Sequence, residues 1–274
     1  MQKSTIRNWR YFPLLALVMA VLAMQFSFQR VQAAGTVMIN EFSVSHVGTD
    51  TREYVEIFGA ANTDYSAYRL IAIEGDFSGT ATGVVDRVIT IGTTDASGYW
   101  WSGFLAQDTF ENGSNTLLLV NGFSGAQGND LDTNDDGTLD TTPWSAVIDE
   151  VAIHDGGASD KVYTAVSLGV AYDGLSFAPG GASRIPNGTD TDAIGDWTRN
   201  DFDLAGLSGF TGTLVAGEAL NTPNAVNSSQ VTDIAPTVSS TQPANNAASV
   251  GPTVDISVTF SEPVTVTGDW FTIV

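Results

Sequence analysis

Residues 130 to 140 read Asp-Leu-Asp-Thr-Asn-Asp-Asp-Gly-Thr-Leu-Asp and have the types and spacing of a calcium-binding loop. Counted from Asp132, oxygen-bearing side chains fall at loop positions 1, 3 and 5 as Asp132, Asn134 and Asp136. Gly137 then takes position 6, where the chain must turn sharply so that alternate side chains converge. Thr138 offers a backbone carbonyl at position 7, Leu139 an apolar plug at 8 and Asp140 a carboxylate at 9. Counted from Asp130 instead, Asp135 would occupy the glycine position and the register fails. Pro143 stands where the bidentate acid of position 12 is expected, so the site is weak or borrows a carboxylate from elsewhere. As a merely solvated turn the run is costly, because each like-charge pair at about 5 Å costs about 0.8 kcal/mol even in water. A structural Ca²⁺ held by Asp132, Asn134, Asp136, Thr138 and Asp140 is the expectation.

Other candidate chemistry is thinner. His46 and His154 are the two histidines, and His154-Asp155 can be a ligand pair or a base at a strand end. A strand-exit turn running into Gly156-Gly157 is the plainer reading, since no acid-base partner is identifiable. No nucleophile elbow, zinc-protease histidine pair or phosphate-binding glycine loop is present. Glu53 and Glu56 have opposite parity on a strand, which sends their carboxylates to opposite faces and spoils paired acid-base work. Trp100-Trp101 suits a glycan-stacking edge, but consecutive strand residues face opposite ways, so at most one indole joins a platform. No catalytic residue is assigned.

The surroundings read as extracellular. Lys3, Arg7 and Arg10 precede the apolar run Leu14 to Met24, and Val31-Gln-Ala33 supplies small residues for cleavage. This is the order of a secretory signal peptide over residues 1–33, with an uncleaved membrane anchor as the alternative. No later stretch approaches membrane-spanning length, so no span is expected after cleavage. Removing the segment leaves six Lys+Arg against 31 Asp+Glu, a formal −25. Such a surface repels phosphate backbones, and direct nucleic-acid binding by this segment is not expected. The chain has no cysteine, which excludes disulfide stapling and leaves stability to core burial and bound calcium.

Short β-rich runs separated by Gly, Asn, Asp and Ser follow: Val37 to Ile39, Glu53 to Phe58, Leu70 to Ile73, Val84 to Ile91, Leu117 to Val120 and Val147 to Ile153. In the last run Val147, Asp149, Val151 and Ile153 alternate with Ile148, Glu150 and Ala152. Without helical periodicity, this pattern predicts an all-β sandwich. A polar, proline-stiffened linker over 228–236 leads to a second β-pattern from 237 to 274. That pattern ends in an apolar, strand-like run, as if the polypeptide were truncated.

Ile39-Asn-Glu-Phe42, Glu53-Tyr-Val-Glu-Ile57 and Tyr68-Arg-Leu70 resemble the opening of bacterial lamin-tail domains. Ser183-Arg-Ile185, Asp196-Trp197 and Thr222-Pro-Asn-Ala-Val-Asn227 resemble that family's closing segment. The resemblance covers residues 35–227, departs from the family at Gly59-Ala60, and places excess length between Asp76 and Leu175. It implies an immunoglobulin-like β-sandwich without a catalytic centre. Ala235-Pro-Thr-Val238, the Pro243 turn and Val258-Thr-Phe-Ser-Glu-Pro-Val264 resemble the first part of a bacterial Ig-like domain.

The expected product is therefore a secreted, non-catalytic, calcium-stabilised structural or binding module at a bacterial surface, with an unknown extracellular ligand. One alternative is the amino-terminal accessory region of a secreted endonuclease whose active site lies beyond residue 274, by similarity to the module order of endonuclease/exonuclease/phosphatase-type enzymes. A further alternative is a glycan-binding module built on Trp100 or Trp101.

Overall fold

The computed structural model describes residues 37–77, 81–213, 215–229, 238–243 and 257–260. The expected signal segment and most of the second β-pattern lie outside the described residues. Ten strands build two five-stranded sheets. The first contains β1 (Met38–Ser43), β2 (Tyr54–Phe58), β5 (Tyr99–Trp101), β9 (Gly181–Arg184) and β10 (Trp197–Arg199), in the order β10-β9-β1-β2-β5. The second contains β3 (Tyr68–Glu74), β4 (Val85–Thr90), β6 (Asn115–Asn121), β7 (Ala146–His154) and β8 (Ser167–Gly169), in the order β4-β3-β6-β7-β8. Neighbours are antiparallel except β7 and β8, which run parallel. A separate antiparallel pair, β11 (Val238–Gln242) and β12 (Ser257–Phe260), lies in the second β-pattern. The described helical content is one 3-10 turn, Ile194–Asp196. The fold class is the one the alternation predicts, an all-β, immunoglobulin-like sandwich.

Period-2 alternation explains which side chains meet. Ile39, Phe42, Val55, Ile57 and Ala182 of the first sheet share a core with Leu70, Ala72, Leu117, Leu119, Val151 and Ile153 of the second. The opposite parity of β3 and β6 is also apolar. Ile71, Ile73, Leu118 and Val120 form a second core with Val85 and Leu131 on the outer face of the second sheet. That face is covered by the connection from β6 to β7, through Phe123, Leu139 and Trp144, and by Tyr163. Leu117-Leu-Leu-Val120 is an unbroken apolar run because both its faces are buried.

Residues 76–175, where the sequence places excess length, contribute β4 to β8, and their longest connection between strands is 122–145. One detail differs from the sequence expectation. The alternation in β7 is broken by a register shift opposite Leu119 and Val120. Val147 consequently packs in the outer core, while Asp149 lies inside with Val151 and Ile153. A β-bulge makes one extra residue change faces, which a strict alternation cannot show.

Burial on both sides makes a specific demand. Leu118→Ala and Leu119→Ala should each cost about 2–5 kcal/mol in urea denaturation, since both leave cavities. A near-neutral Leu118→Ala would contradict the outer core.

Candidate functional site

The acidic loop sits over the outer core. Leu131 N–H donates to Gly83 O at 3.0 Å and Val84 bridges Asp130, so the loop is hung on the entry to β4. Gly83 has φ +80°, and a Cβ there would stand 2.6 Å from Asp132 Cβ, so the approach needs glycine. Gly137 has φ +88°, and Leu139 packs against the outer apolar cluster. The loop winds around the fully buried Asp132 carboxylate, which accepts N–H groups of Asp136 at 3.2 Å and Gly137 at 2.8 Å. Tyr163 Oη also donates to it at 2.9 Å, and burial together with this bond raises the phenol's pKa well above its ordinary value. Asn134 Oδ1 accepts Asp136 N–H at 3.1 Å, and Asp136 Oδ1 accepts Thr138 N–H at 2.8 Å. Asp140 turns back to take the N–H and Oγ1 of Thr133 at 2.9 and 2.5 Å. The loop's carboxylates are thus engaged by its own donors.

A second acidic group escaped the sequence reading. Asp76, Asp155 and Asp160 place carboxylate oxygens within 4.8 Å of one another, the one such group of three among the described residues. They lie where β3 and β7 leave the sheet and β6 enters it. Ser114 ties them together, donating its N–H to Asp76 at 2.7 Å and bonding Asp155 and Asp160 through Oγ at 3.1 and 3.0 Å. Burial and its acidic neighbours raise the Asp76 pKa. The available signal was an acid at both strand exits, after Glu74-Gly75 and after His154. The histidine-acid pair is split: Asp155 joins this group, while His154 Nδ1 accepts Gly156 N–H at 3.0 Å. His46 is spent on a turn, its Nε2 accepting the N–H groups of Thr51 and Arg52 at 3.0 Å each.

Ile39-Asn-Glu-Phe42, Glu53-Tyr-Val-Glu-Ile57 and Thr222-Pro-Asn-Ala-Val-Asn227 meet on the outer face of the first sheet. Glu41 and Glu56, both fully buried, meet a strap formed by residues 218–229. Glu41 accepts Tyr54 Oη at 2.6 Å, Asn200 Nδ2 at 3.1 Å and Thr222 N–H at 2.8 Å. Glu56 accepts Asn40 Nδ2 at 2.7 Å and the N–H of Asn224, whose φ of 67° is one that Asn tolerates. Asn227 Nδ2 closes the layer on the carbonyls of Asn40 and Arg184, at 2.9 and 3.1 Å. Glu53 points elsewhere, accepting Thr109 and Phe110 N–H, so the opposite parity of Glu53 and Glu56 is observed.

Between the sheets lies Arg184, 1 % exposed. It makes a bidentate pair with Asp149 at 2.8 and 2.9 Å, approaches Asp190 and Asp196 at 3.2 and 3.3 Å, and stacks 4.4 Å from the Trp197 ring centroid.

The tandem tryptophans diverge as strand parity demands. Trp100 packs toward the main core, whereas Trp101 meets Tyr54 and Phe104 edge-on at 6.4 and 5.3 Å on the outer side. Arg52 stands over the rings of both Phe104 and Phe210, at 5.1 and 5.7 Å.

Residues 232–273 match the family model described as a bacterial Ig-like domain, and β11 and β12 lie inside that match. No curated protein and no solved structure matches the chain. The matched segment is of a kind found in bacterial surface and extracellular proteins. No helix among the described residues is long and apolar enough to cross a membrane.

Burial lifts Glu41 and Glu53 to about 7 and Glu56 and Glu74 to about 8, from 4.5, with hydrogen-bond donors opposing the shift. Asp149 is lifted to about 6 by burial despite Arg184. The folded chain thus holds protons that the unfolded chain releases near 4.5. Stability is fully present below that value and is lost as pH rises through 7 to 8. The melting temperature by circular dichroism, at fixed ionic strength, should fall between about pH 5 and 8.5. A rise across that window would contradict the assignment of these buried acids.

Proposed function

We propose that the chain is a secreted, non-catalytic structural or binding module of a bacterial extracellular or cell-surface protein, stabilised by calcium at the Asp132–Asp140 loop. The observation that carries this reading is the Ig-like match at 232–273 beside a sandwich whose buried acids hold backbone turns. General acid-base work needs a carboxylate or imidazole free to reach a substrate proton. Glu41, Glu53 and Glu56 accept N–H groups from neighbouring segments, and both histidine rings accept turn amides. Residues 1–33 act as the export signal, residues 35–227 form a lamin-tail-like domain, and residues 228–236 link it to the Ig-like segment. The meeting of Asn40, Glu41, Glu56, Thr222 and Asn227 in one polar layer supports the lamin-tail reading, because it gives three separate motifs a common structural task.

Calcium would bind through the free lone pairs of Asp132, Asn134, Asp136 and Asp140 and the carbonyl of Thr138. Its role is to neutralise the loop and fasten it over the outer core. Extracellular modules of this type bind at about 10⁻⁴ to 10⁻³ M. With a Kd of about 10⁻⁴ M, calcium at about 1 mM stabilises the fold by about 1.4 kcal/mol. Calcium should therefore raise the melting temperature of the chelator-treated protein, and Asp136→Ala should abolish the gain while Asp160→Asn keeps it. No calcium response in the wild type would overturn the assignment. A response lost only in Asp160→Asn would move it to the strand-end group.

A further inference from the structure

The acidic loop is held together almost wholly by its own bonds. Among the described residues, the hydrogen bonds that reach residues 132–140 come from within the run 130–140, with one exception: Tyr163 Oη donates to Asp132 Oδ2 at 2.9 Å. That phenol comes from the connection between β7 and β8, and the second sheet fixes its place. Tyr163 N–H donates to Thr116 Oγ1 of β6 at 3.0 Å, and the ring packs against the outer core. Two residues earlier, Lys161 N–H donates to Gly75 O, just beyond β3, at 2.8 Å. A Cβ at Gly137 would stand 3.1 Å from Lys161 Cδ, so the same segment also covers the turn of the loop.

These bonds treat the two oxygens of Asp132 unequally. Oδ2 takes two donors, Gly137 N–H at 2.8 Å and the Tyr163 hydroxyl. Oδ1 takes Asp136 N–H alone, at 3.2 Å, and shares that donor with Asn134 Oδ1 at 3.1 Å. Oδ1 therefore keeps the larger unspent acceptor capacity. A phenol is a neutral donor, so it orients the carboxylate without cancelling the charge that draws a cation. The amides of Asp136 and Gly137 move with the loop, whereas the phenol ties it to the sheet.

We propose that Tyr163 is a positioning residue for calcium: its hydroxyl holds Asp132 Oδ2 and leaves Oδ1 as the oxygen offered to the ion. This rests on the assignment of calcium to the Asp132–Asp140 loop. Groups that hydrogen-bond a metal-ligating carboxylate from behind help to set the affinity, and losing one costs about 10- to 100-fold. Tyr163→Phe keeps the ring in the outer core and removes the oxygen alone.

The test is a calcium titration of the chelator-treated full chain, read by displacement of terbium whose luminescence is excited through tryptophan. Asp136→Ala serves as the control that separates the loop from other terbium sites. Tyr163→Phe should raise the calcium Kd about 10- to 100-fold. A tyrosine that only packs would lower the melting temperature in chelator and leave the Kd where it was. An unchanged Kd in Tyr163→Phe thus overturns the positioning role while the calcium loop stands; a wild type that binds no calcium overturns both. Should Tyr163→Phe not fold, Thr116→Val, which unties the Tyr163 main chain, should weaken calcium in the same sense, and an unchanged Kd there overturns the role.

Discussion

The buried guanidinium of Arg184 is the constraint from which much of the sandwich follows. Removing this charge from water costs several kcal/mol, so it must be met on every side. Asp149 supplies a planar bidentate partner from the other sheet, matching the guanidinium's fork. The Ile39 carbonyl takes Arg184 Nε at 2.8 Å, while Ile39 N–H donates to Asp149 at 2.7 Å. Three strands, β1, β7 and β9, are thereby locked in one register across the core. The bulges fall beside this knot: β7 shifts at Ile148 so that Asp149 points inward, and β1 shifts between Ile39 and Glu41.

The bulge in β1 has a consequence on the other side of the sheet. Ile39 and Phe42 stay in the core, while the two residues between them both turn outward. Asn40 and Glu41 can then receive the strap together with Glu56. Acidic side chains recur in this protein as acceptors for backbone that no ladder satisfies: Glu41 and Glu56 for the strap, Glu53 for Thr109 and Phe110, Asp132 for its own loop. Burying Glu41, Glu53 and Glu56 raises their proton affinity, which links the fold to pH. The Ig-like match at 232–273 is of a kind found in bacterial surface and extracellular proteins.

Much of the strand content was legible because it rests on local pattern. Glu53 to Phe58 and Leu117 to Val120 show strong β-propensity bounded by turn residues, and both are strands. The short strands β8, β9 and β10 were not legible, since Gly181-Ala-Ser-Arg184 has no alternation and owes its pairing to β1. The turn at Gly137 was readable from local sequence, because a positive φ there suits glycine. The partnership of Asp76 with Asp155 and Asp160 was hidden. It joins residues about eighty positions apart through strand order, which composition does not encode. The same holds for Arg184 and Asp149: each sat in a recognised segment, but a bulge decided that they face each other.

A double-mutant cycle in urea, pairing Arg184→Met with Asp149→Leu, tests most directly whether this interior charge pair fastens the two sheets. Arg184→Met leaves Asp149 buried without its counter-ion and should cost about 3–5 kcal/mol, whereas Asp149→Leu leaves Arg184 with Asp190 and Asp196 at 3.2 and 3.3 Å and should cost less. The double variant should cost clearly less than the sum of the two, because the loss of one charge relieves the other. Additive costs would contradict the account, placing the bond between the sheets in the apolar core alone.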